Sequence, residues 1–212
     1  TSQATEMYYR FRPGTLVNAV FLLGMVNVTT VRIQQIHDTL GVVYDVTSAP
    51  VPLPPSPSWY DWYYGGRAVS TQVVKLDLFA FPDCELRLDF AGGAGMTVGT
   101  LAFGYQQEFG MGVEYGAKLG IIDYSRKITN DFGDVDFVVR AFAKKANFSM
   151  MLENQYMDAI QSYLASVRAT PCLWVGTLLY ESTIVFGFFK DFNLVIAYAN
   201  NSRLDIEIEG LT

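Results

Sequence analysis

A single histidine limits the chemistry open to this chain. A Ser-His-Asp or Cys-His arrangement would have to use His37, because an imidazole is the base that activates such nucleophiles. His37-Asp38 lies in a predicted turn between Ile36 and Gly41, so His37 reads as a solvated turn histidine. Zinc requires several His or Cys ligands at short spacing, whereas His37, Cys84 and Cys172 are scattered. Asp131-Phe132-Gly133 matches the three-letter metal-binding motif of protein kinases. The Gly-rich loop, strand lysine and catalytic loop that phosphoryl transfer also needs are missing. The run through Asp134 and Asp136 fails as a calcium loop on ligand spacing and reads as a polar turn leading into a strand at Val135. Among 21 Asp and Glu any two could meet in space, so sequence alone singles out no glycosidase pair. No residue stands out as catalytic, cofactor-binding or metal-ligating, and a non-enzymatic role is expected.

One constellation has the chemistry of binding. Trp59-Tyr60-Asp61-Trp62-Tyr63-Tyr64-Gly65-Gly66 is the densest aromatic cluster in the chain. Sugars stack their C–H faces on Trp and Tyr rings, with Asp61 or Arg67 placed to bond hydroxyls. The competing reading is a short β segment whose alternate aromatics enter the core while the others cover an interface with another subunit. Trp59, Tyr60, Asp61, Trp62 and Tyr63 are therefore candidates for carbohydrate or for protein contact.

The elements that must position these residues are mostly strands. Half of the 212 residues are hydrophobic, 15% are aromatic and only 17% are charged, which excludes disorder and coiled coil. A formal net charge of −6 argues against general attraction to nucleic acid or anionic lipid. The strongest apolar run, Ala19 to Val26, falls well short of the ~20 residues of a spanning helix and reads as a buried strand. The polar start and the lack of a small-residue cleavage site do not resemble a signal peptide, and a chain beginning at Thr1 fits an intact product that has lost its initiator Met. Without a secretory signal the sequons at Asn27, Asn147 and Asn201 read as chance matches; Cys84 and Cys172, far apart in sequence, read as two buried thiols in a reducing cytoplasm, with a disulfide between them as the alternative.

In the first half, Leu16–Leu23, Thr29–Ile36, Val42–Val46, Val73–Phe81, Glu85–Phe90 and Thr97–Phe103 predict strands, with Ala91 to Gly95 as a turn between the last two. Between them runs Ala49 to Ser58, a proline-rich extended loop. Near Gly112 the character changes. A strand from Val135 to Ala143 precedes a predicted amphipathic helix, Leu152 to Val167, ended by Pro171. Strands return at Cys172–Val175, Thr183–Phe189, Leu194–Tyr198 and Leu204–Ile208. The expected architecture is mainly β: a sandwich over residues 1–111, then a smaller α+β domain over 112–212 with its helix at about 152–167.

Spaced strand motifs carry a resemblance. Asn18-Ala19-Val20, Leu22-Leu23-Gly24, Val31-Arg32-Ile33 and Gly41-Val42-Val43-Tyr44-Asp45 resemble the opening strands of galactose-binding-like jelly rolls in tail proteins of tailed bacteriophages. Val98-Gly99, Phe103-Gly104, Tyr115-Gly116, Tyr124-Ser125-Arg126, Phe132-Gly133 and Arg140 continue it. Arg168-Ala169-Thr170-Pro171 with Trp174, Phe186-Gly187-Phe188 and Ile206-Glu207-Ile208-Glu209-Gly210-Leu211 close it. The resemblance covers nearly the whole chain as a pattern of strands, with no single diagnostic motif. It implies a structural virion protein of the tail tip or baseplate of a long, non-contractile tail, made in the bacterial host cytoplasm. Its implied partners are other tail proteins (distal tail, hub or fibres) and further copies of itself, with no nucleic acid, membrane span or cofactor. The alternative is a receptor-recognition module that binds host surface glycan. The chain departs from a convincing lectin in having no calcium loop and few charges near its aromatics.

Overall fold

The computed structural model describes residues 5–50, 58–64, 70–129 and 134–211. The polypeptide is mainly β and divides just ahead of Gly112 into two compact units, Thr1–Gln107 and Glu108–Thr212.

The first unit contains β1 (Glu6–Phe11), β2 (Ala19–Leu23), β3 (Val26–His37), β4 (Gly41–Ser48), α1 (Trp59–Tyr64), β5 (Val73–Lys75), β6 (Cys84–Thr97) and β7 (Thr100–Gly104). They form a four-stranded antiparallel sheet ordered β1-β6-β3-β4 and a three-stranded one ordered β5-β2-β7. Alternation in β6 sends Leu86, Leu88 and Phe90 inward and leaves Glu85, Arg87 and Asp89 on the other face. The inward set meets Val20 and Leu22 of β2 and Val31 and Ile33 of β3 in one core, so the two sheets bury their apolar faces together as a sandwich.

Three expectations for this unit are corrected. Ala91 to Gly95 is not a turn between strands but lies inside β6. The pairing register jumps there: Val28 opposes Gly92, and Val26 opposes Thr97, so residues 93–96 are a surplus in β6 against the single residue Asn27 of β3. Asn27, at φ 56°, donates its amide to Ala94 O at 3.1 Å, and a Cβ on Gly92 would stand 2.1 Å from Asn27 O. Glycine at 92 therefore allows the close backbone approach that the bulge requires. The expected strand from Val73 to Phe81 stops at Lys75, and the polar-looking start forms β1, whose aromatic residues Tyr9 and Phe11 pack against Phe90 and Phe103. Residues 51–57 of the proline-rich segment lie outside the described residues.

The second unit holds β8 (Lys118–Asp123), β9 (Arg126–Thr129), β10 (Val135–Val138), β11 (Phe142–Glu153), α2 (Met157–Ser166), β12 (Cys172–Val175), β13 (Ile184–Val195) and β14 (Asn201–Gly210). Five of these strands make an antiparallel sheet ordered β12-β13-β14-β11-β8. The ladder of β8 and β11 ends at the pair Asp123 and Phe142; β9 and β10 take it up again from Arg126 and Val138 as a two-stranded ribbon. Phe148, Leu152, Leu204, Ile206 and Ile208 point to one face, where Ile160 and Leu164 of α2 cover them.

The helix begins later than its periodicity predicts. Leu152 and Glu153 are the end of β11, paired with Ser202 and Asn201, and a 3₁₀ turn at Asn154–Tyr156 leads into α2. Leu152 fits both patterns, since it continues the alternation of Phe148 and Met150 and also precedes Tyr156 by four residues. At the other end Ala169, at φ 57°, turns the chain before Pro171. The expected strand from Val135 to Ala143 is two strands, β10 and β11, interrupted at residues 139–141. The predicted strands Thr183–Phe189 and Leu194–Tyr198 are one, β13, with a register shift between Phe189 and Asp191.

Candidate functional site

The aromatic cluster is a single helical turn, not a β segment. In α1 the rings of Tyr60 and Tyr64, four residues apart, lie 4.8 Å between centroids, and Tyr63 meets Tyr64 edge-on at 4.8 Å. Trp59 is 75% exposed, and Tyr60, Tyr63 and Tyr64 are exposed as well. This overturns the expectation that alternate aromatics of the cluster enter the core: those four share contacts with one another and present their faces to solvent. A six-residue helix has little stability of its own. The side chains of Asp61 and Trp62, and all of residues 65–69 including Arg67, lie outside the described residues. The described side chains offer flat apolar rings with phenolic hydroxyls at their rims, a chemistry suited to a sugar face or an aromatic protein contact.

His37 ends β3, and its Nδ1 accepts hydrogen bonds from Thr39 N at 3.2 Å and Leu40 N at 3.4 Å, closing the turn. Its ring stands edge-on to Phe81 at 5.2 Å. The β3–β6 register sets Cys84 opposite His37, a juxtaposition that sequence spacing could not reveal. Burial pushes the Cys84 thiol up, and the carboxylates of Asp38 and Asp83 add to the shift. An activated thiol has the reverse electrostatics. Neither Cys84 nor Cys172 is in a disulfide. Among the described residues there is no cluster of three or more His, Cys, Asp or Glu that could hold a metal. Asp131-Phe132-Gly133 lies outside the described residues.

Two polar arrangements went unread in the sequence. On β3 and β4, Arg32 donates Nε and Nη2 to Asp45 at 2.8 and 2.6 Å, and Gln34 adds a third bond at 3.0 Å. The Arg32 hydrogen bonds, then that of Gln34, bring the Asp45 carboxyl down to about 2. In the second unit Asn154 donates its amide to Tyr198 O at 3.1 Å and Ala199 O at 2.9 Å, fixing the loop before β14. Beside it lies an open recess of about 530 Å³ lined by Met111, Glu153, Gln155, Asn200 and Asn201 among others. Both arrangements depend on cross-strand pairing, so local sequence patterns carry no sign of them.

No protein-family model matches the chain, and no curated protein matches it.

The remaining surface feature is apolar. Along the ribbon of β8 to β11, Ile121, Phe137, Val139 and Phe142 are exposed, Val139 at 84% and Phe137 at 71%. Ile121 and Phe142 stand on the apolar face of the five-stranded sheet, and the other face of that sheet is polar. There Lys145 and Lys190 reach Glu207 at 2.8 and 3.6 Å, while Arg203 lies 3.4 Å from Asp205 and 3.8 Å from Glu114. No described helix is long and apolar enough to cross a membrane.

Proposed function

We propose that the chain is a structural subunit of a bacteriophage tail tip or baseplate, acting through assembly contacts with further copies of itself and with other tail proteins. The observation that carries the assembly role is the amount of large apolar surface left open at α1 and along the β8–β11 ribbon. Monomeric proteins seldom leave contiguous apolar patches of more than a few hundred Å² uncovered, and larger ones mark interaction sites. Trp and Tyr are also the residue types enriched at the energetic centres of protein interfaces. The tail setting, and a galactose-binding-like jelly roll for the N-terminal half, come from the resemblance of its strand motifs; the acidic net charge suits a subunit that stays soluble until it docks. Mass spectrometry of purified particles of the encoding phage tests this reading: several copies per virion are expected, and absence from particles overturns it.

A second reading, recognition of host surface glycan, is favoured by the open ring faces of Trp59, Tyr60, Tyr63 and Tyr64. Binding on a glycan array that disappears when Trp59 and Trp62 are both replaced by Ala supports it. An array signal unchanged by the double replacement, or no signal from the native chain, retires it.

A further inference from the structure

We infer that β8 is a docking edge for a second copy of the chain, with the two β8 strands pairing antiparallel about a two-fold axis so that two five-stranded sheets become one. The pairing deepens the assembly role proposed above and rests on it for its setting. Among the described residues no strand pairs with the outer side of β8, which lies at the end of the order β12-β13-β14-β11-β8. Natural proteins protect such edges with proline, bulges or inward charges. Across Lys118–Asp123 there is no proline, the register with β11 is unbroken, and the two charges stand only at the ends.

The topology favours this edge and this symmetry. With five strands all antiparallel, the two edges β8 and β12 run in the same direction. Head-to-tail continuation from β8 to the next copy's β12 with the faces kept on the same side would therefore need a parallel pair, the slightly weaker kind. β12 is also a poorer template, being four residues long with Pro171 just ahead of it. A two-fold normal to the sheet keeps each copy's faces on the same side, and strand alternation then restricts the register to pairs of like parity. Centring the axis on Gly120 sets Leu119 of each copy opposite Ile121 of the other. Both side chains stand on the face of Lys144 and Ala146, which the register makes the apolar face of the sheet. Leu119 and Ile121 are 43% and 64% exposed there, so two new cross-strand apolar pairs form from surface now in water. The same pairing brings Lys118 of one copy to the end that carries Asp123 of the other.

Leu119 and Ile121 are the apolar side chains that this axis brings together, and both are open to solvent in the single chain.

The test is register-specific. A Cβ on Gly120 meets nothing within 4 Å, so Gly120→Cys is tolerated. Directly opposed strand residues stand roughly 4.5–5.5 Å apart, within disulfide reach. In a Cys84→Ser, Cys172→Ser background, mild oxidation should cross-link Gly120→Cys to covalent dimer, whereas Ile128→Cys should remain largely uncross-linked. Sedimentation velocity of the native chain should show a concentration-dependent dimer, and Ile121→Lys should weaken it at least tenfold with the far-UV spectrum unchanged. Monomer at all concentrations, a closed ring of more than two copies, or Gly120→Cys cross-linking no better than Ile128→Cys would overturn the pairing. A dimer formed by a chain that virions lack would leave the pairing standing and remove the tail reading; a virion component that fails the cross-link would do the reverse.

Discussion

Replacing Ile206 by Ala probes the packing that holds the second unit. Ile206 is fully buried on β14, the strand between β13 and β11, opposite Phe148 on one side and Phe192 on the other. Ile160 and Leu164 of α2 belong to the same core. The change removes three carbons, and at about 0.8 kcal/mol per buried methylene the transfer loss is about 2.4 kcal/mol. If the site does not collapse, a void of roughly 60 Å³ at about 24 cal/mol per Å³ adds about 1.4 kcal/mol. The expected loss is therefore about 2.5–4 kcal/mol, which lowers a urea midpoint by roughly 1.2–2 M at a slope of about 2 kcal/mol per M. Trp174, packed edge-on against Phe189 in this unit, supplies the signal once Trp59 and Trp62 are replaced by Phe. Asn193→Ala is the control, because Asn193 follows Phe192 on β13 but is exposed and opposes Asp205. It should shift stability by no more than about 0.5 kcal/mol. A loss under about 1 kcal/mol for Ile206→Ala, or equal losses for the two variants, would refute the assignment of faces.

Gly92→Ala should destabilise the first unit by roughly 1–3 kcal/mol or more in thermal unfolding, because its Cβ would meet Asn27 O, while Gly93→Ala, with nothing within 4 Å, should be nearly neutral. The Asp45 carboxyl is held at about 2, below its ordinary range, so its ion pair with Arg32 contributes stability that is complete above about pH 4 and is lost as the pH falls toward 2. Thermal melts of Asp45→Asn and the native chain should accordingly differ at pH 6 and converge by pH 2, and a gap that widens on acidification would contradict the sign. Replacing Trp59 and Tyr63 together by Ala should change the melting free energy of the isolated chain by no more than about 0.5 kcal/mol each, since both are exposed; a larger loss would mean that α1 is covered.

Where one face of a strand is wet, its position could be read directly. Leu86, Leu88 and Phe90 alternate with Glu85, Arg87 and Asp89, and the structure buries the first set and leaves the second half-buried on the other face. Cys172–Val175 agrees to the residue for a related reason, lying between Pro171 and Gly176. Reading failed where two periods coincide or where pairing decides the outcome. Leu152 satisfies helix and strand spacing alike, and only its partner Ser202 on β14 resolves the choice. The glycines from 92 to 95 have turn composition, yet the long β3 opposite keeps the segment in the sheet and turns the surplus residues into a bulge. The aromatic cluster failed differently: Trp59, Tyr60, Tyr63 and Tyr64 are spaced for one helical turn, but apolar character drew them toward the core in the sequence reading.

That last failure has a physical basis that also explains why the docking edge was invisible. Apolar alternation reports that a side chain avoids water and not which molecule removes it from water. Phe148 on β11 and Ile121 on β8 stand on one face of one sheet, and nothing in their local sequence separates them. The difference is that α2, ten residues long, reaches the core around Phe148 but leaves Ile121 open. The length of a single helix thus divides an apolar face into a part covered by the chain itself and a part left for a partner. If the two β8 strands do pair, extending α2 over Leu119 and Ile121 should compete with dimer formation, because both would bury the same side chains.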